Sequence, residues 1–359
     1  MTPPSSSFSS FSPDRALHRA LVVAPAWIGD TVMAQVLFKR LHEYHPNQQL
    51  DALAPRWVAP VLQRMPEIGE IVDNPFAHGE IALAARFRLA RQLAKNGYRR
   101  AYILPNSLKS ALVPLLAGIP ERIGFTGESR YGLINRRHAL DKLALPQMAE
   151  RFAQLAEVPG APLPRPLPLP QLISDEAQQA ATLAELGLQR TAKIAVFCPG
   201  AEYGPAKRWP AAHFATLADE LARRGYAIWL LGSPKDKEIG DEIVRLSAPD
   251  AAVRNLCGTT SLTQAIDLLA AASVVVCNDS GLMHVAAAAG RPLVAVYGSS
   301  SPTFTPPLSP HARILSLQLA CSPCFQRECP LGHLNCLNHL DPQRVLQACL
   351  DAQPTETLP

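Results

Sequence analysis

The stretch ALVVAPAWIGDTVMAQ, residues 20–35, changes periodicity halfway along. Leu21, Val22 and Val23 form a short continuous apolar run, the signature of a strand buried on both faces. Pro25 and Gly29 punctuate it. Beyond them Val32, Met33, Val36, Leu37 and Leu41 return on one helical face, until His45-Pro46 stops the helix. Strand, turn and helix in this order are the repeating unit of a parallel sheet, whose neighbouring strands need a crossover connection. Asp30 stands at the junction, with Gly29 before it leaving room for another group. A carboxylate here has two readings. As a helix cap it satisfies free N–H groups and suits the helix dipole. As a general base it faces the crevice beyond the strand ends, where ligands of open α/β sheets bind. The readings are compatible, because a helix N-terminus favours an ionised carboxylate.

Further along, the unit recurs. LDALAP is a strand, with a helical pattern through RWVAPVLQRM; Ile81–Lys95 is helical, AYILPN a strand and SLKSALVPLLAG a short helix. Residues 159–170, PGAPLPRPLPLP, carry six prolines in twelve positions and form an extended, semi-rigid connector. Beyond it KIAVFCPG, YAIWLLGS, SVVVCNDS and PLVAVYG are strands alternating with helices. DPQRVLQACL closes the chain as a helix, capped by Asp341 with Pro342 in its first turn. The organisation expected is a tail over 1–14, a Rossmann-like domain over 15–158, a linker over 159–170 and a second Rossmann-like domain over 171–359, whose last helix has the option of packing back on the first domain. Two such halves in an α/β chain face each other across a cleft.

Bulk properties agree. The chain has 359 residues, and at ~100–200 residues per domain this corresponds to two domains. A hydrophobic share of 48% and a charged share of 18% describe an ordinary globular protein. The net charge of +4 permits an anionic ligand or membrane surface without demanding one. No apolar run reaches the ~18 residues of a membrane span. Residues 1–14, MTPPSSSFSSFSPD, lack the basic start and apolar stretch of a secretory signal and read as a disordered tail. The eight cysteines are then expected as reduced thiols in a cytoplasm.

Three junctions of the second half suit an anionic ligand. In CPGAEYGPAKRWP, residues 198–210, prolines and glycines force an irregular loop whose N–H groups can face an anion, and Lys207 and Arg208 add charge. The same pattern also describes a solvated basic turn. In CNDSGLMHVAAAAG, residues 277–290, Asp279, Ser280 and Gly281 fall at a helix mouth and His284 on its first turn, as in a phosphate site or a simple capped helix. In LGSPKD an acidic residue at the strand end is placed either for a ribose hydroxyl or as a solvated charge; Asp236 fits, with Glu238 as the fallback. Neither half contains the G-x-G-x-x-G of a nicotinamide enzyme. Cys321, Cys324, Cys329 and Cys336 are spaced C-x2-C-x4-C-x6-C, which lacks the paired C-x2-C of a strong zinc motif; reduced thiols are the first expectation and no metal site is assigned.

WIGDTVMAQ, LPNSLKSALVPLLAGIPERIGF, PGAEYGPAKRWP, NDSGLMHVAAAAGRPLVAVYGSSSPTFTPPL and CSPCFQRECPLGHLNCL together resemble the ADP-heptose:lipopolysaccharide heptosyltransferases, glycosyltransferase family 9. The resemblance runs from about residue 20 to the end. It implies a GT-B fold and an inverting transfer of heptose from ADP-L-glycero-β-D-manno-heptose to a Kdo- and heptose-bearing lipid A core, with Asp30 as base. Lys207 would contact the donor phosphates; Asp279, Ser280, Gly281 and His284 would form the phosphate-binding turn, Asp236 would hold the ribose and Thr260 would line the adenosine pocket. Glu202 and Tyr203 replace threonines of some members, which favours the branch that adds the second heptose; both would reach the donor through backbone N–H groups. Related acceptors, as for first- or third-heptose enzymes, and a non-catalytic nucleotide-sugar binder are the alternatives, the latter disfavoured by Asp30. On the acceptor side Lys109 and Arg122 are candidates. Arg130, Arg136 and Arg137 around YGLIN would suit an anionic membrane surface or a solvated loop. No D-x-D motif is present, so no obligatory cofactor or metal is expected, and the protein would work in the cytoplasm against the inner membrane.

Overall fold

The computed structural model describes residues 19–77 and 80–352. The tail expected over 1–14 lies outside the described residues.

The described residues form two six-stranded sheets flanked by helices. The first contains β1 (Arg19–Val23), β2 (Gln49–Ala54), β3 (Ile68–Asp73), β4 (Arg100–Ile103), β5 (Glu121–Phe125) and β6 (Arg136–His138). The second contains β7 (Ile194–Cys198), β8 (Ala227–Leu230), β9 (Arg254–Asn255), β10 (Val274–Asn278), β11 (Leu293–Val296) and β12 (Ala312–Leu315). Their orders are β3-β2-β1-β4-β5-β6 and β12-β11-β10-β7-β8-β9, and every pairing is parallel. Each is the doubly wound Rossmann order, with the direction of winding reversing between its first and fourth strands. The loops after β1 and β4, and after β7 and β10, therefore diverge and open a crevice at the carboxyl edge. The central strands are mainly apolar and buried, Ile194–Cys198 wholly so. The strands that periodicity did not reveal, β3, β5, β6, β9 and β12, are all off-centre, and their mixed burial hides the pattern.

The domains share a packed junction. Helix Ile28–Tyr44 of the first lies against helix Gly281–Ala288 of the second, and one apolar cluster runs through Val22, Leu37, Val275 and Met283. Polar groups fix the register. Fully buried Gln35 accepts from the Gln171 N–H and donates to the Gln171 carbonyl, each at 2.8 Å. The Arg64 guanidinium lies 2.6 Å from the buried Asp267 carboxylate, which also accepts from the Asp175 N–H. The proline-rich stretch 159–170 has no helix or strand, and Arg40 anchors it through Glu157 and the Pro164 carbonyl. The closing helix, Pro342–Asp351, is capped by Asp341 as expected. It packs on helix Ala211–Ala222 of its own domain, where Leu337, Leu340, Val345 and Leu346 complete the core around Phe214 and Trp209.

Candidate active site

Helix Ile28–Tyr44 begins where β1 ends, and its N-cap residue is Trp27, which makes no side-chain cap. Asp30 sits in the first turn, partly buried. Among the described residues none donates a hydrogen bond to its carboxylate, so the cap expected of it is not made. Its electrostatics also depart from expectation. Burial, reinforced by the Asp279 charge and opposed by Lys207, pushes its carboxyl up to about 6. The helix N-terminus therefore does not hold this group strongly ionised; desolvation wins. A carboxylate with free lone pairs and a titration point near neutrality is suited to proton abstraction.

Across the junction, the loops after β7 and β10 bring Lys207 and Asp279 together. Lys207 Nζ donates to Asp279 Oδ2 at 2.5 Å, and Asp279 is 5% exposed. Asp279 thus holds the lysine and does not cap the helix behind it, for Ser280 is the N-cap residue and also makes no side-chain cap. His284 is buried in that helix, and burial lowers its imidazole to about 4. It is neutral at pH 7, a hydrogen-bonding group and not a second cation. Two glycines let the helix mouths meet. A Cβ at Gly29 would stand 2.7 Å from His284 Cδ2, and one at Gly281 would stand 2.9 Å from Ile28 Cβ. Gly29→Ala is accordingly expected to destabilise the fold by ~1–3 kcal/mol through overpacking, read as a lower thermal midpoint. An unchanged midpoint would mean that the junction opens at no cost.

Of the other expected donor residues, Tyr203 borders this pair. Tyr203 donates from its hydroxyl to the Phe325 carbonyl at 2.6 Å, and its ring is approached by Lys207 Nζ, 5.0 Å from the centroid, and by the Arg327 guanidinium, at 5.4 Å. Glu202 is exposed and paired with Lys235 at 2.6 Å. Asp236 is buried and accepts from the Ser233 N–H and hydroxyl at 2.9 and 2.7 Å, closing the cap of a short helix. Its carboxylate leaves no room for a side chain at Gly200, where a Cβ would fall 2.3 Å away. Thr260 immediately precedes Ser261, the N-cap of helix Leu262–Ala271.

On the acceptor side, Lys109 lies in the short helix Leu108–Ala111 beyond the carboxyl end of β4, at the edge that carries Asp30. Arg122 is not brought there. It pairs in register with Ala101, near the start of β5, and its guanidinium donates to the carbonyls of Leu133 and Ile119, both at 2.7 Å. Arg130 is not a membrane-facing residue either. It is wholly buried and ties the Pro105–Ser110 loop together by donating to the Pro105 and Phe125 carbonyls and the Ser110 hydroxyl. Arg136 pairs with Glu121, and Arg137 lies over the ring of Tyr131.

Sequence reading passed over Ser299 and Ser300, which follow β11 beside the Lys207 loop. The Ser299 N–H faces the Ala206 carbonyl at 3.4 Å, and both hydroxyls are buried without a partner. Small residues after a strand were the available signal. The cysteines are free thiols. No helix among the described residues is long and apolar enough to cross a membrane.

This arrangement has counterparts. The family model described as glycosyltransferase family 9 (heptosyltransferase) matches residues 86–335. Lipopolysaccharide heptosyltransferase 2 of Escherichia coli K12 is 46% identical over 336 residues, 92% of this chain and 97% of that protein. Lipooligosaccharide heptosyltransferase 2 of Haemophilus influenzae is 45% identical over 83% of this chain and 88% of its own length. The solved structure of E. coli ADP-heptose LPS heptosyltransferase II superposes with a TM-score of 0.85 at 44% identity, covering 93% of this chain and 98% of that one.

Proposed function

The chain belongs to glycosyltransferase family 9, and from that premise we propose that it moves L-glycero-D-manno-heptose from ADP-heptose to the first heptose of a Kdo2-lipid A inner core, adding the second heptose in lipopolysaccharide core biosynthesis. The observation that carries the reading is Asp30: a carboxylate with no hydrogen-bond donor among the described residues, pushed up to about 6 by burial and electrostatically coupled across the junction to Lys207 and Asp279. A protein that only bound a nucleotide sugar in its second domain would have no use for this group in the first.

The chemistry follows. The acceptor hydroxyl gives its proton to Asp30 as its oxygen bonds to the anomeric carbon from the face opposite the diphosphate. The bond from that carbon to the phosphate oxygen breaks, its electron pair leaves on ADP, and configuration inverts. Positive charge on the sugar ring peaks in the transition state, while negative charge builds on the departing diphosphate as the bond breaks. Lys207 supplies the cation for the second, with the neutral imidazole of His284 and the N–H groups at Ser280 and Gly281 as hydrogen-bond donors. Glu202 and Tyr203 offer backbone N–H groups, while Asp236 and Thr260 border the ribose and adenosine. Lys109 is the acceptor-side cation, meeting core carboxylates or phosphates. The reaction requires no metal in this scheme. The lipid-anchored acceptor implies work in the cytoplasm at the inner-membrane face.

The test is transfer from ADP-heptose to acceptors bearing no heptose or one heptose. Product is expected only with the second. Preference for the heptose-free acceptor would reassign the chain to first-heptose addition, and ADP-heptose binding without transfer to either would leave a binding protein.

A further inference from the structure

The chain has four tryptophans, and their burial divides them sharply. Trp209 and Trp229 are core residues, whereas Trp27 and Trp57 are 54% and 57% exposed. The exposed two stand together. They occupy the loops after β1 and β2, adjacent parallel strands, and so the same carboxyl edge of the first sheet. Trp57 Nε1 donates to the Ala26 carbonyl at 2.7 Å, joining its loop to the one that carries Trp27 and then Asp30. The indole edge of Trp57 is thereby fixed while most of the residue remains in water.

Scattered exposed apolar residues need no explanation. Two indoles on bonded loops, one of them three residues from the candidate base, are not scattered. We propose that Trp27 and Trp57 form a stacking platform for an acceptor pyranose, presenting its hydroxyl to Asp30. The proposal rests on the transfer reading above and assigns its acceptor-side specificity. A pyranose has an apolar face of C–H groups, which meets the electron-rich face of an indole as aromatic edges do, and its hydroxyls remain free for hydrogen bonds. The occupant is a sugar and not a lipid chain because an exposed charge pair stands directly beside Trp57 and a carboxylate three residues after Trp27. Arg56, the residue before Trp57, has a side chain that is 85% exposed and paired with Asp73 at 2.7 Å. Rigid aromatic anchors of this type lose little conformational freedom on binding, which is why Trp is frequent at points of tight contact.

Initial-rate kinetics with ADP-heptose and the one-heptose acceptor, lipidated and delipidated, test the platform. Trp57→Ala and Trp27→Ala are each expected to raise the acceptor KM about 3- to 10-fold, with donor KM and thermal midpoint unchanged. Trp57→Phe should recover part of the loss, since it keeps a ring without the bond to Ala26. An unchanged acceptor KM in both alanine variants overturns the proposal, as does an equal rise in donor KM or a loss of midpoint alone. A KM effect confined to the lipidated acceptor also overturns it and makes the surface a membrane contact. Tryptophan fluorescence titrated with the delipidated acceptor separates the two layers of inference. Titration in the wild type that weakens in both variants, without turnover, sinks the transfer reading and keeps the platform. No titration and no turnover sink both.

Discussion

Asp30→Asn is expected to reduce turnover by about 10²–10⁴-fold, with ADP affinity and thermal midpoint nearly unchanged. Asparagine keeps the size of the side chain but cannot accept the proton of the acceptor hydroxyl, and the nucleotide-binding loops lie in the other domain. Stability should not suffer, because Asp30 makes no cap to lose. The sign of its titration points the same way. A carboxyl whose folded value is raised to about 6 opposes folding once both folded and unfolded forms are ionised, above about pH 6. That unfavourable contribution disappears as pH falls below the ordinary carboxylate range. The neutral asparagine removes it, so the midpoint at pH 8 should be equal or slightly higher. Asp30→Ala should lose as much turnover with an equally small change in midpoint. In the wild type, kcat/KM should fall with unit slope as pH drops below about 6, and this acid limb should be absent from the residual activity of Asp30→Asn. Near wild-type turnover in the asparagine variant would remove Asp30 as the base.

Lys207→Ala is expected to lower turnover at saturating donor by about 10²–10³-fold, the loss typical of one preorganised stabiliser of transition-state charge. The ammonium meets Asp279, so a diphosphate arriving there either shares the lysine or takes it over; in both cases the attraction grows as the leaving group gains charge. The variant has a second signature. Lys207 opposes the rise of the Asp30 carboxyl, and Asp279 adds to it. Removing the cation leaves both carboxylates without it, so the acid limb of kcat/KM should move above about 6. Lys207→Arg, which retains charge, should bring the limb back and restore part of the rate. Full turnover in the alanine variant, with no displacement of the limb, would reduce Lys207 to a structural partner of Asp279.

Much of the architecture was legible because each element carries its own period. Leu21–Val23 and Val274–Cys277 announce buried strands without reference to anything distant, and the helix after each follows from apolar spacing alone. The connector at 159–170 declares itself by proline content. The edge strands β6 and β9 were silent, since a short strand at a sheet margin is half exposed and its residues obey neither alternation nor a continuous apolar run.

For the site, local sequence determined which residue types stand at strand ends and helix mouths: Asp30, Lys207, Asp279 and His284 were identifiable from their junctions and from the family resemblance. It did not determine their states. Asp30 was compatible with a cap or a base until the second domain was seen to cover it, for desolvation depends on atoms more than 170 positions away in the chain. Arg122 and Arg130 read as available cations because charge is a property of composition; only the fold shows their guanidiniums committed to backbone carbonyls. Periodicity and turn chemistry are short-range, so the chain specifies its elements locally. Burial, the partner of each charge and the exposure of Trp27 and Trp57 arise when the two sheets meet, and those are tertiary decisions.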